Sequence, residues 1–457
     1  MALRSLFISF IINLLFFTSL TSAAPLFTGN VPMIQGYTNE SDTFITVMRQ
    51  PGQNFIYSIS PDVNIHIAAK NVGHSHHVDT LELSNLKPGI EYQLRVNTLD
   101  GKAVDYRKFE VLDPKANNTK AAICSCSRMG ILSPDDPKRS MYDRLYDQDP
   151  KVIFFLGDQV YGDNAAQAVL RYLTLNIASR IPNFPLYHPT FLQIQKRYIN
   201  SWKKEKLYHQ EKLKPTYSIW DDHDFGFDGA DAKNPFKEMI LKLYRSYYPA
   251  PKDSQVVSRG PGASYSFNIF GKKILMLDNR TFSNFRAGIV LGQEQIQWIE
   301  SQVKGQSEVI FASGISLIKL SGNQRSVERT SPSEWQQFRQ IFFNNPSLRA
   351  LFFTGDIHYS EVRNIPEHIF GFKTIQIASS HMHSTTPLIT PPFRSGRHPK
   401  DPNQLKHIAG RNFAIVSLAS LFEQTEINFY RGSNRPPINF INETPIANQC
   451  HRFYKAE

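Results

Sequence analysis

The sequence predicts a layered α/β domain over residues 120–433, preceded by an all-β sandwich over residues 25–113. Three observations carry this reading. Apolar runs of four to six residues, the size of a buried strand, each end abruptly in a cluster of polar residues. Helix-period segments lie between those runs. Ahead of them, short stretches alternate apolar and polar residues between Pro, Gly, Asn and Asp.

In chain order, residues 1–24 read as a cleaved secretory signal. Arg4 is the only basic residue of a short leading region, Leu6 to Leu20 is the apolar stretch, and Ser22-Ala23-Ala24 is a small-residue cleavage site. The apolar stretch is short of the ~20 residues a membrane span needs, and no basic stop follows it. No later segment is long and apolar enough to be a transmembrane helix, so the expected product is exported, secreted or periplasmic. Residues 25–113 follow as short strands such as Thr43–Val47 and Asn64–Ala68. Within them, Leu86-Lys87-Pro88-Gly89-Ile90-Glu91-Tyr92 and the run to Val96 resemble the fibronectin type III corner, where a Tyr leads into a late strand. His74, His76 and His77 sit among Gly and Ser and read as a solvated turn. Asp113–Thr119 is the linker.

From residue 120 the buried-strand runs begin. Ala121-Ala122-Ile123 leads into Cys124-Ser125-Cys126-Ser127, and Val152–Leu156 into Gly157-Asp158-Gln159-Val160-Tyr161. Thr216–Trp220 leads into Asp221-Asp222-His223-Asp224, and Ile274–Leu277 into Asp278-Asn279-Arg280. Leu351–Phe353 leads into Thr354-Gly355-Asp356-Ile357-His358. Pro235 to Tyr248 and Gly292 to Lys304 carry helical patterns. Ile181 to Trp202, rich in aromatics and Pro, is expected to form a lid or wall. Thr390–Pro399 reads as a long basic loop, and residues 434–457 as a tail with little regular pattern.

Loops at the ends of buried strands are where α/β folds build their sites. Five such ends bearing Asp, His, Tyr, Cys and Arg predict one convergent site. Carboxylate oxygens suit hard cations, whereas imidazole and thiolate suit transition metals. A mixed set therefore fits two metals, or one of intermediate character. Paired metals stabilise the attacking and leaving oxygens of a phosphoryl displacement. Arg280 offers a planar donor for phosphate oxygens, or a counter-charge for a neighbouring Asp. Asp221-Asp222-His223-Asp224 is the most demanding segment, because its three carboxylates repel one another without a cation or proton between them.

Composition narrows the alternatives. The chain has 457 residues, three cysteines and a net charge of +11. Three cysteines exclude a disulfide framework and leave at least one thiol unpaired within the chain. Cys124 and Cys126 are too close for an ordinary bridge. Cys450 is free or pairs with another chain. The basic balance favours anionic partners, but no Lys/Arg run interleaved with aromatics marks a nucleic-acid module. Asn-x-Ser/Thr sequons begin at Asn39, Asn117, Asn279 and Asn442; Asn279 lies in the expected site, so they read as chance occurrences.

Gly-Asp-x-x-Tyr at Gly157–Tyr161, the acidic cluster with His223, and Gly-Asp-x-His at Gly355–His358 resemble the metallophosphoesterases. The purple acid phosphatase branch shares Gly-Asp-x-x-Tyr but carries Gly-Asn-His-Glu and Gly-His-x-His, which are missing here. The other branch is the alkaline phosphatase D (PhoD-like) family. Its Trp-Asp-Asp-His-Asp matches Trp220–Asp224, and its Leu-Asp-x-Arg matches Leu277–Arg280. Its Leu-Gly-x-x-Gln-x-x-Trp matches Leu291–Trp298, and Gly-Asp-x-His-Tyr matches Gly355–Tyr359. The resemblance covers residues 120–385 and implies a four-layer αββα catalytic domain behind a fibronectin- or Ig-like sandwich. It implies that Cys126, Asp158, Tyr161 and His358 hold a ferric ion, and that Asp158, Asp222 and Asp356 hold a neighbouring calcium ion. It gives His223 the role of protonating the leaving group. Two features depart from the pattern. Cys124 places a second thiol beside Cys126, and Gly226-Phe227-Asp228-Gly229 stands where the family often has Asn-Asp. The expected activity is phosphate-ester hydrolysis, monoester or diester, at neutral to alkaline pH. The alternatives are a purple-acid-type phosphatase and a secreted binding protein with an inactive enzyme domain.

Overall fold

The computed structural model describes residues 27–71, 76–127, 139–163, 189–251, 262–318, 325–383, 401–432, 436–442 and 445–446. The leader at 1–24, His74, the 390–399 loop and Cys450 fall outside them, as do residues 181–188 of the expected lid; its described part contributes a helix, Phe191–Lys204.

Seven strands open the chain: β1 (Met33–Thr38), β2 (Thr43–Arg49), β3 (Phe55–Ser60), β4 (Ile65–Asn71), β5 (His77–Leu83), β6 (Tyr92–Thr98) and β7 (Ala103–Phe109). They form two antiparallel sheets, β1-β2-β5-β4 and β3-β6-β7. Successive residues of a strand point to opposite faces. Met33 and Val47 accordingly enter the sandwich core with Leu81, Leu94 and Phe109. Their neighbours Ile34 and Met48, with Val78, join the core of the following domain. The Tyr corner is present: the Lys87 N–H donates to the Tyr92 hydroxyl at 2.8 Å. His76 is buried, unlike the solvated turn expected for it.

The chain continues through β8 (Lys120–Cys124), β9 (Val152–Leu156), β10 (Thr216–Ile219), β11 (Tyr265–Ile269), β12 (Lys272–Leu277), β13 (Glu308–Ser313) and β14 (Arg349–Thr354). It ends with β15 (Ser360–Ile365), β16 (Thr374–Ser379), β17 (Gln404–Ile408), β18 (Asn412–Ser417), β19 (Thr425–Arg431) and β20 (Ile438–Asn442). One sheet has the order β10-β9-β8-β18-β19-β20 and the other β11-β12-β13-β14-β16-β15-β17. Strands β8, β9 and β10 are parallel, as are β12, β13, β14 and β16.

Adjacent phenylalanines show the layering. Phe154 faces the second sheet, 5.8 Å from the ring of Phe353, while Phe155 faces Tyr142 of the helix Met141–Tyr146. On the other side, Phe352 stacks on Phe311 at 5.5 Å beneath Phe338 and Phe342 of the helix Pro332–Asn344. The order is helices, sheet, sheet, helices: the four-layer αββα class expected. One expectation fails. The segment after residue 434 supplies β20, which pairs with β19 from Phe429↔Ile438 to Thr425↔Asn442. As an edge strand with alternating half-exposed residues, it has no buried run to announce it.

Candidate metal and active site

The C-terminal ends of β8, β9 and β10 in one sheet, and of β12 and β14 in the other, bring their loops together. Four residues there adopt left-handed backbone: Cys126 (φ 56°), Asp158 (57°), Asp356 (68°) and His358 (55°). Such conformations cost a non-glycine residue about 1–3 kcal/mol each and persist where surrounding structure holds them. Here the loops are packed together through glycine. A Cβ at Gly314 would meet the Asp221 side chain at 2.8 Å, and one at Gly355 would collide with the Leu156 carbonyl oxygen.

Three overlapping groups of ligand atoms result, each with its members within 4.8 Å: Cys126, Asp158 and His358; Asp158, Asp222 and His223; and Asp221, Asp222 and Asp356. The Cys126 Sγ lies 3.6 Å from Asp158 Oδ2. The Tyr161 hydroxyl is 3.2 Å from that same oxygen and 3.3 Å from His358 Nε2. Cys124 points elsewhere; its thiol donates to the Phe154 carbonyl, so the two thiols separate into one at the cluster and one in the core.

The donors divide by chemistry. Thiol, phenol, imidazole and carboxylate gather around Cys126, a set that suits a transition ion. Asp221, Asp222 and Asp356 form an all-carboxylate group, a set that suits a hard cation. Asp221 Oδ2 is buried with no hydrogen-bond partner, an orphan oxygen that a cation would satisfy. The residues present fit two metals.

Electrostatics agree. Burial, joined by the Asp158 charge, pushes the Cys126 thiol well up. Burial likewise raises Asp158 and Asp221, with the Asp222 charge adding to it. Burial and Asp222 push Asp356 up to about 6. Asp222 stays ionised: burial opposes its charge, but Arg280, then His223 and the Gly229 N–H, hold it well below the usual carboxylate range. Crowded buried carboxylates raise one another this way unless positive charge sits between them.

Of the two roles open to Arg280, its contacts are those of a counter-charge. Its guanidinium is 1 % exposed, with Nε 2.6 Å from Asp221 Oδ1 and Nη2 3.9 Å from Asp222 Oδ1. Two carboxylates hold the fork inside the protein, so it acts as their counter-charge. The Leu291–Trp298 motif fixes that loop: the Gln295 amide donates to the Asp278 carbonyl at 2.6 Å, and its oxygen accepts the Asp278 N–H at 2.9 Å. Asp224 also turns inward, accepting the N–H groups of Asp158, Val160 and Asp221 at 2.6–3.0 Å. It ties the β9 and β10 loops together. Burial pushes its carboxyl up to about 7 against those three donors.

His223 has a partner that the motifs did not point to. Its Nδ1 lies 2.8 Å from Asp163 Oδ1, which fixes the Nδ1 proton and leaves Nε2 for chemistry. Burial disfavours the imidazolium, but Asp163, then Asp158 and Asp222, raise it well above the ordinary value. A second acid two residues after Tyr161 was the available signal. Asp222 accepts the Gly229 N–H at 2.6 Å, so the departing Gly226–Gly229 segment serves through its backbone. Ser380, whose hydroxyl is 3.1 Å from Cys126 Sγ and accepts the His358 N–H, gave no signal at all.

Sheet pair, front sandwich and clustered strand-end ligands together define the metallophosphoesterase-like fold. No family model and no curated protein matches the sequence. Among solved structures, the chain is similar to PhoD, with a TM-score of 0.60 and 16 % identity over 92 % of this chain and 90 % of that one. It is also similar to a purple acid phosphatase isolated from yellow lupin (Lupinus luteus) seeds, with a TM-score of 0.55 and 11 % identity over 92 % of this chain and 76 % of that one. The fold is therefore the PhoD-like phosphoesterase fold.

Proposed function

We propose that the protein is an exported, metal-dependent phosphoric ester hydrolase working at neutral to alkaline pH. The observation that carries this is the overlap of ligand groups at Asp158 and Asp222, beside an imidazole oriented by Asp163. Cys126, Asp158, Tyr161 and His358 would hold a ferric ion, and Asp158, Asp222 and Asp356 a calcium ion. When bound, the two ions supply charge that polarises the phosphate and acidifies the attacking water. The chain's residues do the rest. His223 holds a proton at Nε2 for the leaving oxygen, Asp163 keeps the Nδ1 proton in place, and Arg280 keeps Asp222 ionised and pairs with Asp221. The Cys126 thiol beside Asp158 favours the PhoD-like branch over the purple-acid type, whose motifs are missing.

Metal analysis and a visible spectrum of the purified protein test this, with nitrophenyl phosphate and bis-nitrophenyl phosphate as substrates. Tyrosinate and thiolate on ferric iron would colour the protein, and Tyr161→Phe should bleach or shift the band and lower the rate. Mild chelation should abolish the rate while the colour remains, and calcium should restore it. Colourless, iron-free protein with full activity would remove the iron assignment. Metal-free protein that hydrolyses neither ester would leave the secreted binding protein.

A further inference from the structure

Two guanidinium groups lie over the ring of Phe285. Arg280 lies 5.3 Å from its ring centroid and Arg325 4.7 Å. The two differ in every other respect. Arg280 is buried and bonded to Asp221. Arg325 is exposed, and no carboxylate among the described residues lies within ion-pair distance of it.

Arg325 nevertheless faces the site. Its Nη1 lies 3.3 Å from where a Cβ of Gly229 would stand, and the Gly229 N–H is bonded to Asp222. The absent side chain at Gly229 admits the guanidinium over the backbone that cradles Asp222. Arg325 forms no ion pair with Asp222, whose guanidinium partner is Arg280, or with Asp356. It stands off from both carboxylates instead of closing on them, and the ring beneath restrains it. A planar fork held short of the carboxylates, on the solvent side, is placed for an anion lying between.

We propose that Arg325 is a substrate-binding residue, donating to non-bridging oxygens of the phosphate group from the solvent side of Asp222 and Asp356, with Phe285 as its platform. This deepens the hydrolase reading and rests on it for the identity of the anion. It also supplies the phosphate donor that Arg280, turned inward, does not.

The test uses the metal-loaded full chain, Arg325→Ala, Arg325→Lys and Phe285→Leu, with nitrophenyl phosphate as substrate and inorganic phosphate as inhibitor. Charge-assisted hydrogen bonds of this kind correspond to about 10–100-fold in affinity. Arg325→Ala should raise KM and the phosphate inhibition constant together by about that factor, with a smaller change in kcat and unchanged metal content. Lys should recover part of the loss, and Phe285→Leu should shift both constants the same way by less. Unchanged KM and inhibition constant in Arg325→Ala would overturn the proposal. If wild-type protein hydrolyses no ester, the hydrolase reading fails separately. Calorimetric titration with inorganic phosphate then decides: weaker binding in Arg325→Ala supports the anion site, and equal binding overturns it.

Discussion

Each side chain at the site has a job set by what it touches, and substitution should separate those jobs. His223→Ala should keep its metals and lose about 10²–10⁴-fold in turnover on alkyl phosphates, the usual range for a general acid. The loss should shrink on nitrophenyl esters, whose leaving group needs no proton; equal losses would refute the acid role. Asp163→Asn should lose less, and with the same leaving-group dependence, because it acts through the imidazole. Asp158→Asn should differ in kind, losing metal and activity together, since Asp158 belongs to two of the three ligand groups. Residue types at strand ends were legible in the sequence because polar, metal-capable side chains follow abruptly on apolar runs. Pairing was not. Nothing in the order Asp278-Asn279-Arg280 says whether the guanidinium faces substrate or Asp221. That is decided by β10 and β12, which lie in different sheets. Arg325 was illegible for the same reason: it lies outside every motif and reaches the site only through Gly229 and Phe285.

Strands and loops were legible where burial and chemistry coincide. β8, β9, β10, β12 and β14 are apolar runs with metal-type residues at their ends. β13 and β16 are also buried, but end in Ser313-Gly314 and Ser379-Ser380, which carry no such chemistry to mark them. Yet Gly314 packs directly against the Asp221 side chain. Gly314→Ala would press a methyl group into Asp221, and we expect metal affinity and rate to fall together while the far-UV spectrum stays native. The outer helices give the contrasting case. Phe338→Ala empties a space among Phe311, Trp335, Phe342 and Phe370. It should cost about 3–5 kcal/mol in denaturant unfolding, with little change in rate per folded molecule.

Across the whole molecule, sandwich and catalytic domain are joined by backbone as well as by side chains. The Lys108 N–H donates to the Glu211 carbonyl at 2.9 Å and the Leu213 N–H to the Lys108 carbonyl at 2.7 Å. Leu213 enters the sandwich core. Removing the sandwich would therefore uncover Tyr217, Tyr247 and their neighbours, and the remaining domain should aggregate rather than fold as an independent enzyme. Glu110 reports on this joint, with the Lys212 and Lys151 ammonium groups beside it. Burial pushes its carboxyl up, but Lys212 and then Lys151 hold it below its ordinary value of 4.5. A depressed carboxyl stabilises above its unfolded pKa, and that stabilisation is lost as pH falls through the folded one. The Tm advantage of wild type over Glu110→Gln should thus be full at neutral pH and fade below about pH 4.5; a constant difference would remove Glu110 from the account. One further consequence lies in the middle of the first sheet. β8 is flanked by β9 on one side and by β18 on the other, and Thr119 meets Ser417, 298 residues away. A ribosome that has reached residue 400 has released β8 and β9 but not the strand that closes them. Until Asn412–Ser417 emerges, one flank of Ala121–Ile123 offers bare N–H and C=O groups to any extended chain nearby. Vectorial synthesis therefore leaves the strand that leads into Cys126 open until late. A message cut short before β18 should yield not a smaller enzyme but a sticky fragment.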